Sequence, residues 1–209
     1  MSRTWWYFIS FYCNLIAVKD IFITGPKHSG KTSSGKTLAH ICSLEFIDLD
    51  ELIFQQTGKT PRQLFLESKA AFQKAETDAL KFIFKNSNDG SGSSRRVIAA
   101  GGGIIDNPEA AEILKNTDGI IIYLDISAHT AWSRIVNSNG GELPPFLKSD
   151  NPQKTSEDIH RELHERRAAE YLRITGIVIK AEGKTPEEIA AEIQNKTCLK
   201  IKIYDNISA

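Results

Sequence analysis

The sequence predicts an α/β protein built on a parallel sheet with helices on both faces, and three observations predict it. From about Val18 onward, short apolar runs alternate with amphipathic stretches, the pattern of repeated βα units. The runs are brief and rich in Ile and Val, as expected of strands covered on both sides. The first of them leads directly into Gly25-Pro26-Lys27-His28-Ser29-Gly30-Lys31-Thr32, the G-x-x-x-x-G-K-[ST] pattern of a phosphate-binding loop between a strand and a helix.

Taken in order, strands are expected over 20–24, 45–48, 96–100, 119–124 and 176–180. The helix after the glycine-rich loop carries Leu38, Ile41 and Cys42 on one face. Thr60-Pro61 opens a long helical stretch reaching about Phe84, with Leu64, Phe72 and Ala79 among its apolar positions. Asn107-Pro108-Glu109 and Thr185-Pro186-Glu187 each supply an N-cap, a proline at the first helical position and an early acid. Ser156 is expected to start another helix through Ile159, Leu163 and Tyr171. Two segments read as loops: the Gly/Ser/Asn-rich stretch 86–94, a surface insertion, and 137–155, which has little periodicity and is the candidate lid.

Composition bounds the function. A chain of 209 residues suits one domain, and 26 basic against 26 acidic residues leave no global positive field for nucleic acid. No apolar run is long enough to cross a bilayer, which takes about 18–20 residues. Cys13, Cys42 and Cys198 are too few and too scattered for a disulfide framework or a zinc motif. Scattered cysteines fit a reducing compartment, and the protein is expected to be cytoplasmic and monomeric.

The phosphate loop assigns chemistry. Gly25 and Gly30 let backbone N–H groups converge on a polyphosphate at the positive end of a helix, together with Ser29 and Ser33. Lys31 is placed to reach the β- and γ-phosphates of ATP, and the Thr32 hydroxyl to hold Mg²⁺. The second strand ends in Phe46-Ile47-Asp48-Leu49-Asp50; alternation along a strand puts Asp48 and Asp50 on one side at its carboxyl end, where ligands bind in parallel sheets. One acid suits Mg²⁺ and the other a hydroxyl proton, although an Asp-x-Asp also serves simply to cap a helix. Gly101-Gly102-Gly103 ends the third strand and admits a small ligand close to the backbone.

Together, residues 25–39, 46–50, Phe72 to Glu76, 99–103, Arg134, and Arg167 with Tyr171 four residues on resemble shikimate kinases in order and rough spacing, from about Lys19 to Ile193. The resemblance implies the three-layer P-loop kinase fold of the nucleoside-monophosphate-kinase type, a five-stranded parallel sheet in order 2-3-1-4-5 with a lid. It implies ATP- and Mg²⁺-dependent phosphorylation of the 3-hydroxyl of shikimate, a small-molecule acceptor. It places Lys31 and Thr32 on phosphates and metal, Asp48 at the Mg²⁺ site, Asp50 on the acceptor hydroxyls as base, and Gly101, Gly102 and Gly103 along the acceptor. It sets Arg167 on the acceptor carboxylate and Arg134 on adenine, with Gln73 among the acceptor-binding positions.

Two positions depart from that pattern. The family has Phe-Arg where this chain has Phe72-Gln73, and its lid carries Arg-Pro-Leu-Leu where this chain has Pro144-Pro145-Phe146-Leu147. A charged hydrogen bond is worth roughly 1.5–3 kcal/mol, so two lost donors matter. Lys148 and Lys74 are the nearby cations available to compensate, though neither has an arginine's fork. Three readings stay open: a divergent shikimate kinase, a kinase for another hydroxylated molecule such as a sugar acid or polyol, and a nucleotide-binding protein without catalysis.

The remaining features have plain readings. His160 and His164 are expected on a solvated helix face, Trp132 in the core, His28 facing solvent, and Arg166 as an ordinary surface charge. The kinase domain is expected over 19–196, with residues 197–209 as a tail. The aromatic-rich stretch 1–18 falls outside the resemblance and is expected to be an appendage, with natural translation starting near Val18.

Overall fold

The structure, a computed structural model, describes residues 20–86, 95–138, 143–147 and 153–198. The expectations for 1–18, the insertion tip, most of the candidate lid with Lys148, and the end of the tail lie outside the described residues. Five strands form one parallel sheet: β1 (Ile21–Thr24), β2 (Glu45–Asp48), β3 (Arg96–Ala99), β4 (Ile120–Asp125) and β5 (Ile177–Lys180), in the order β2-β3-β1-β4-β5. Each central position is registered on both neighbours, Phe22 opposite Ile98 on one side and Ile121 on the other.

The apolar strands are explained by cores on both faces. Side chains alternate across the sheet. Phe22, Ile98, Ile121 and Tyr123 join one core, whereas Ile21, Ile23, Val97, Ile122 and Leu124 join the other. The second core is closed by α1 (Lys31–Cys42), α6 (Ala128–Asn137) and α8 (Pro186–Cys198), through Leu38, Ala131 and Ile193 among others. The first is closed by α2 (Leu49–Thr57), α3 (Pro61–Glu67), α4 (Lys69–Asn86), α5 (Pro108–Lys115) and α7 (Ser156–Ile174), through Ile53, Leu64, Leu80, Leu114 and Tyr171. Phe22 stacks on Phe84 and Tyr123 on Tyr171, with ring centroids 5.6 and 5.4 Å apart. Truncating a buried aromatic of this kind to alanine costs about 3–5 kcal/mol.

At the amino ends of the strands, Asp20 joins three of them. Its carboxylate accepts from the Arg96 backbone N–H at 3.0 Å and pairs with the Arg96 guanidinium at 2.5 Å, while its carbonyl accepts from Ile120 N–H at 2.8 Å.

The helix starts follow local chemistry. Thr60 and Gln63 form a reciprocal capping box, as do Thr155 and Asp158, and Asn107 caps Ala110 N–H. Such caps stabilise a helix by about 1 kcal/mol each. The cap of α7 is therefore Thr155, and Ser156 is its first residue.

The long helix expected from Pro61 to Phe84 is instead two helices, broken at Ser68, whose backbone is extended at φ −167°, ψ 148°. Ser68 closes α3 by donating its N–H to Leu64 O, and its hydroxyl accepts from Ala71 N–H to start α4. In a continuous helix Phe65 and Phe72 would stand about 10 Å apart along the axis. The corner brings their rings edge to face at 6.1 Å.

The loops leaving β1 and β3, adjacent strands, run to helices on opposite faces of the sheet. A crevice opens between them at the carboxyl edge, the usual ligand position in such folds. Among the described residues, no helix is long and apolar enough to cross a membrane.

Candidate active site

The loop after β1 is fixed from below. Gly25 has φ 144°, and a side chain there would lie 2.7 Å from the Leu124 carbonyl, so only glycine lets the chain turn at this point. Thr24 Oγ1 donates to Ile122 O at 2.9 Å, which ties the loop's stem to β4. Gly30, at φ 94°, is the N-cap of α1 and brings no capping side chain, so first-turn N–H groups are left for a ligand. Lys31 Nζ bends over the loop and donates to Gly25 O and Pro26 O at 3.1 and 2.8 Å. Burial lowers its pKa to about 8 despite the nearby Asp50. An arriving polyphosphate would offset that cost by supplying anionic partners.

Arg134 reaches the loop from α6, donating to His28 O at 2.9 Å. His28 does not face solvent as expected: it is half-buried at φ 60°, its ring nitrogen 3.1 Å from Ser138 Oγ. Burial, then the charges of Lys27 and Lys31, lower its pKa, which favours a neutral ring.

The two acids come together, but not by alternation along a strand. β2 ends at Asp48, and Asp50 sits in the first turn of α2. One Asp48 oxygen caps that helix, accepting from Asp50 N–H at 3.0 Å and Glu51 N–H at 3.4 Å. The other accepts from Thr32 Oγ1 at 2.8 Å. Capping and ligand binding, alternatives at the sequence level, are thus compatible in one residue. Loss of solvation in the cleft, then the neighbouring Asp48, raises the Asp50 carboxyl. The Thr32 hydroxyl and Asp48 carboxylate are hard oxygens beside the phosphate loop, a donor set that fits Mg²⁺, which prefers few protein ligands alongside phosphates and water. Among the described residues no group of three His, Cys, Asp or Glu could hold a metal by itself.

The facing wall is the loop after β3. Gly101 O accepts from Tyr171 Oη at 3.3 Å, and a side chain at Gly101 would lie 3.3 Å from Glu76 Oε1 and 3.6 Å from Asp50 Oδ1. At Gly103 it would lie 2.9 Å from Arg167 Nη2. The triplet therefore lets Glu76, Asp50 and Arg167 converge. Glu76 is only 1% exposed; its Oε2 accepts from Asn107 Nδ2 at 3.3 Å, and its Oε1 has no hydrogen-bond partner among the described residues. Burial pushes its pKa up to about 7.

Arg167 donates twice to Asp106 Oδ2, from Nε at 2.9 Å and Nη2 at 2.6 Å, and its guanidinium lies over the Phe146 ring at 5.4 Å. Arg166 is no ordinary surface charge: its Nη2 donates to Asp106 Oδ1 at 2.7 Å. Burial alone would raise the Asp106 carboxyl, but the hydrogen bonds and charges of Arg167 and Arg166 outweigh it and hold it below its ordinary value. Gln73 Nε2 donates to the Asp106 carbonyl at 2.9 Å.

A single cleft of about 1160 Å³ collects Gly30, Lys31, Thr32, Ser33, Asp48, Asp50, Gln73, Gly101, Gly102, Gly103, Arg134 and Arg167. Gly25 and Ser29 are not on its wall; both are buried beneath it and shape the loop. Lys74 is not on the wall either and pairs with Asp78 on an exposed helix face. Sequence reasoning missed Asp106 and misjudged Arg166. The available signal was an acid three residues past the glycine triplet, facing a helix with adjacent arginines.

His160 and His164 do not form a solvated face. His160 is 6% exposed and packs between the Trp132 and His164 rings, at 5.6 and 5.7 Å. Charged residues flank both positions along α7, but this stripe turns toward Trp132 of α6.

A family model described as shikimate kinase matches residues 27–198. The chain is 31% identical over 183 residues to the shikimate kinase of Chlorobium chlorochromatii, covering 83% of this chain and 90% of that protein. It is 31% identical over 192 residues to the shikimate kinase of Thermodesulfovibrio yellowstonii, covering 91% and 98%. The solved structure of shikimate kinase from Acinetobacter baumannii in complex with shikimate superposes with a TM-score of 0.74 at 25% identity, covering 90% of this chain and 97% of that one.

Proposed function

Because the chain belongs to the shikimate kinase family, we propose that it transfers the γ-phosphoryl group of ATP to the 3-hydroxyl of shikimate. Enzymes of this family are phosphotransferases with an alcohol acceptor that depend on ATP and Mg²⁺. The observation that carries the residue assignment is the single cleft in which the phosphate loop, Asp50 and the Gly101–Gly103 wall face one another.

In this reading Lys31 and the first-turn N–H groups of α1 hold the β- and γ-phosphates. Thr32 and Asp48 hold Mg²⁺, which when bound neutralises charge on the phosphates. Arg134 steadies the loop at His28 and flanks the nucleotide. Asp50 accepts the proton of the acceptor hydroxyl as its oxygen bonds to the γ-phosphorus, and the bond from the γ-phosphorus to the β–γ bridging oxygen breaks, with its electron pair leaving on ADP. A raised carboxyl pKa brings Asp50 closer to the operating pH, which suits a general base. Gly101, Gly102 and Gly103 seat the acceptor ring, and Arg167 faces its carboxylate.

In this reading the protein works in the cytoplasm, where ATP is an available donor, and the domain, over 19–196, acts as a monomer without nucleic acid. A coupled assay of ADP release with shikimate, gluconate and simple polyols tests the function. Turnover on shikimate that Asp50→Asn lowers by about 10²–10⁴-fold supports it; ATP binding without turnover on shikimate refutes it.

A further inference from the structure

We propose that Asp106 is a specificity-determining residue of the acceptor site, an internal carboxylate that competes with the acceptor's own carboxylate for Arg167. The inference rests on the acceptor being an acid, as proposed above.

Arg167 is the inner of the two paired arginines, with its side chain 17% exposed against 52% for Arg166. An acidic acceptor in this cleft would pair best with the less hydrated guanidinium. That guanidinium is already engaged. Asp106 takes its Nε and one Nη2 hydrogen, and a carboxylate arriving from the cleft is left with the opposite edge or must displace Asp106.

Asp106 is also built to compete well. Its N–H donates to Gly103 O at 2.9 Å within a short 3₁₀ turn, and Gln73 holds its carbonyl at 2.9 Å. The next residue, Asn107, is anchored on α4 through Gln73 O at 2.7 Å, Thr77 Oγ1 at 3.2 Å and Glu76. The carboxylate therefore meets Arg167 from a fixed backbone and loses little freedom in doing so, whereas a diffusing acid loses a great deal. Gln73 adds no charge of its own in this arrangement; it supports the competing acid. An uncharged acceptor has no such rival, so Asp106 narrows the preference for an acid over its neutral counterpart.

The test compares kcat/KM for shikimate with that for its analogue in which the carboxyl is reduced to hydroxymethyl, in wild type, Asp106→Asn and Asp106→Glu. Asp106→Asn is expected to raise the acid-to-alcohol ratio about tenfold, through a lower KM for shikimate. Asp106→Glu, which keeps the charge, is expected to stay near the wild-type ratio. A ratio in Asp106→Asn within twofold of wild type, or a lower one, overturns the proposal; a lower one would make Asp106 a positioning residue for Arg167. Asp106→Ser provides a second neutral variant, and thermal melts show which proteins are folded. If wild type phosphorylates neither compound, the proposed function fails, and calorimetry with shikimate alone then decides this inference. Binding gained in Asp106→Asn upholds it, and equal behaviour in both proteins overturns it.

Discussion

Thr32 and Asp48 are joined by a 2.8 Å hydrogen bond from hydroxyl to carboxylate, and the same carboxylate caps α2 with its other oxygen. Asparagine caps a helix as well as aspartate does, but it carries no charge. Asp48→Asn is therefore expected to keep its melting temperature while requiring more Mg²⁺ for half-maximal activity. Asp48→Ala is expected to lose about 1 kcal/mol of stability as well. Thermal melts beside Mg²⁺ titrations check the split; equal stability of the two variants would refute the capping role.

Asp50 faces the Gly101–Gly103 wall without serving as a cap. Asp50→Asn is expected to lower kcat by about 10²–10⁴-fold while ATP still binds. Activity within tenfold of wild type in a coupled assay would remove Asp50 from the role of base.

Gln73→Arg would keep an N–H donor near the Asp106 carbonyl and bring a guanidinium beside Glu76, whose Oε1 lacks a partner among the described residues. Steady-state kinetics are expected to show the KM for shikimate falling about tenfold. An unchanged or higher KM would mean that position 73 does not face the acceptor's charge.

Glu76 gives a pH signature. Its carboxyl ionises near 4.5 in the unfolded chain and is pushed up to about 7 by burial, so between these values the folded state holds the extra proton. Stability on this account is full below about pH 4.5 and falls as pH rises through 7, by on the order of 3 kcal/mol. Glu76→Gln is expected to flatten that decline in urea unfolding measured from pH 5 to 8. A decline of equal size in the variant would assign it to another group.

His160 acts in the opposite sense. Burial, then the charges of His164 and Arg167, lower its pKa to about 4. Its contribution is complete above about pH 6.5 and is lost as pH falls through 4. His160→Phe, which keeps a ring against Trp132, is expected to resist acid unfolding better than wild type. Matching acid midpoints in circular dichroism would count against this.

The glycine-rich loop of the cleft was legible from sequence because its chemistry is local. Gly25 to Thr32 is one contiguous turn, and the strand before it and helix after it follow from short-range apolar patterns. The wall around Gly101–Gly103 and Arg167 was less legible because it is assembled from distant segments. Asp106 and Arg167 lie sixty-one residues apart and share no periodicity, so nothing linear pairs them. Asp50 reached its expected place by a different route, since a cap at Asp48 ended β2 before alternation could apply. The corner at Ser68 escaped for a related reason. Serine is tolerated inside a helix, and the break shows only in three dimensions, where the Ser68 hydroxyl caps α4 and Phe65 meets Phe72.

Asp20 and Arg96 fasten the sheet at the end farthest from this chemistry. Three strands are clamped where they begin, so the loops that leave their other ends are not needed to hold them in register. Such a frame can accept exchanged, shortened or lengthened acceptor loops without loosening the strands beneath them. The contacts among Gln73, Asp106 and Arg167 lie at the opposite end of the strands from this clamp, so they can be altered without touching it.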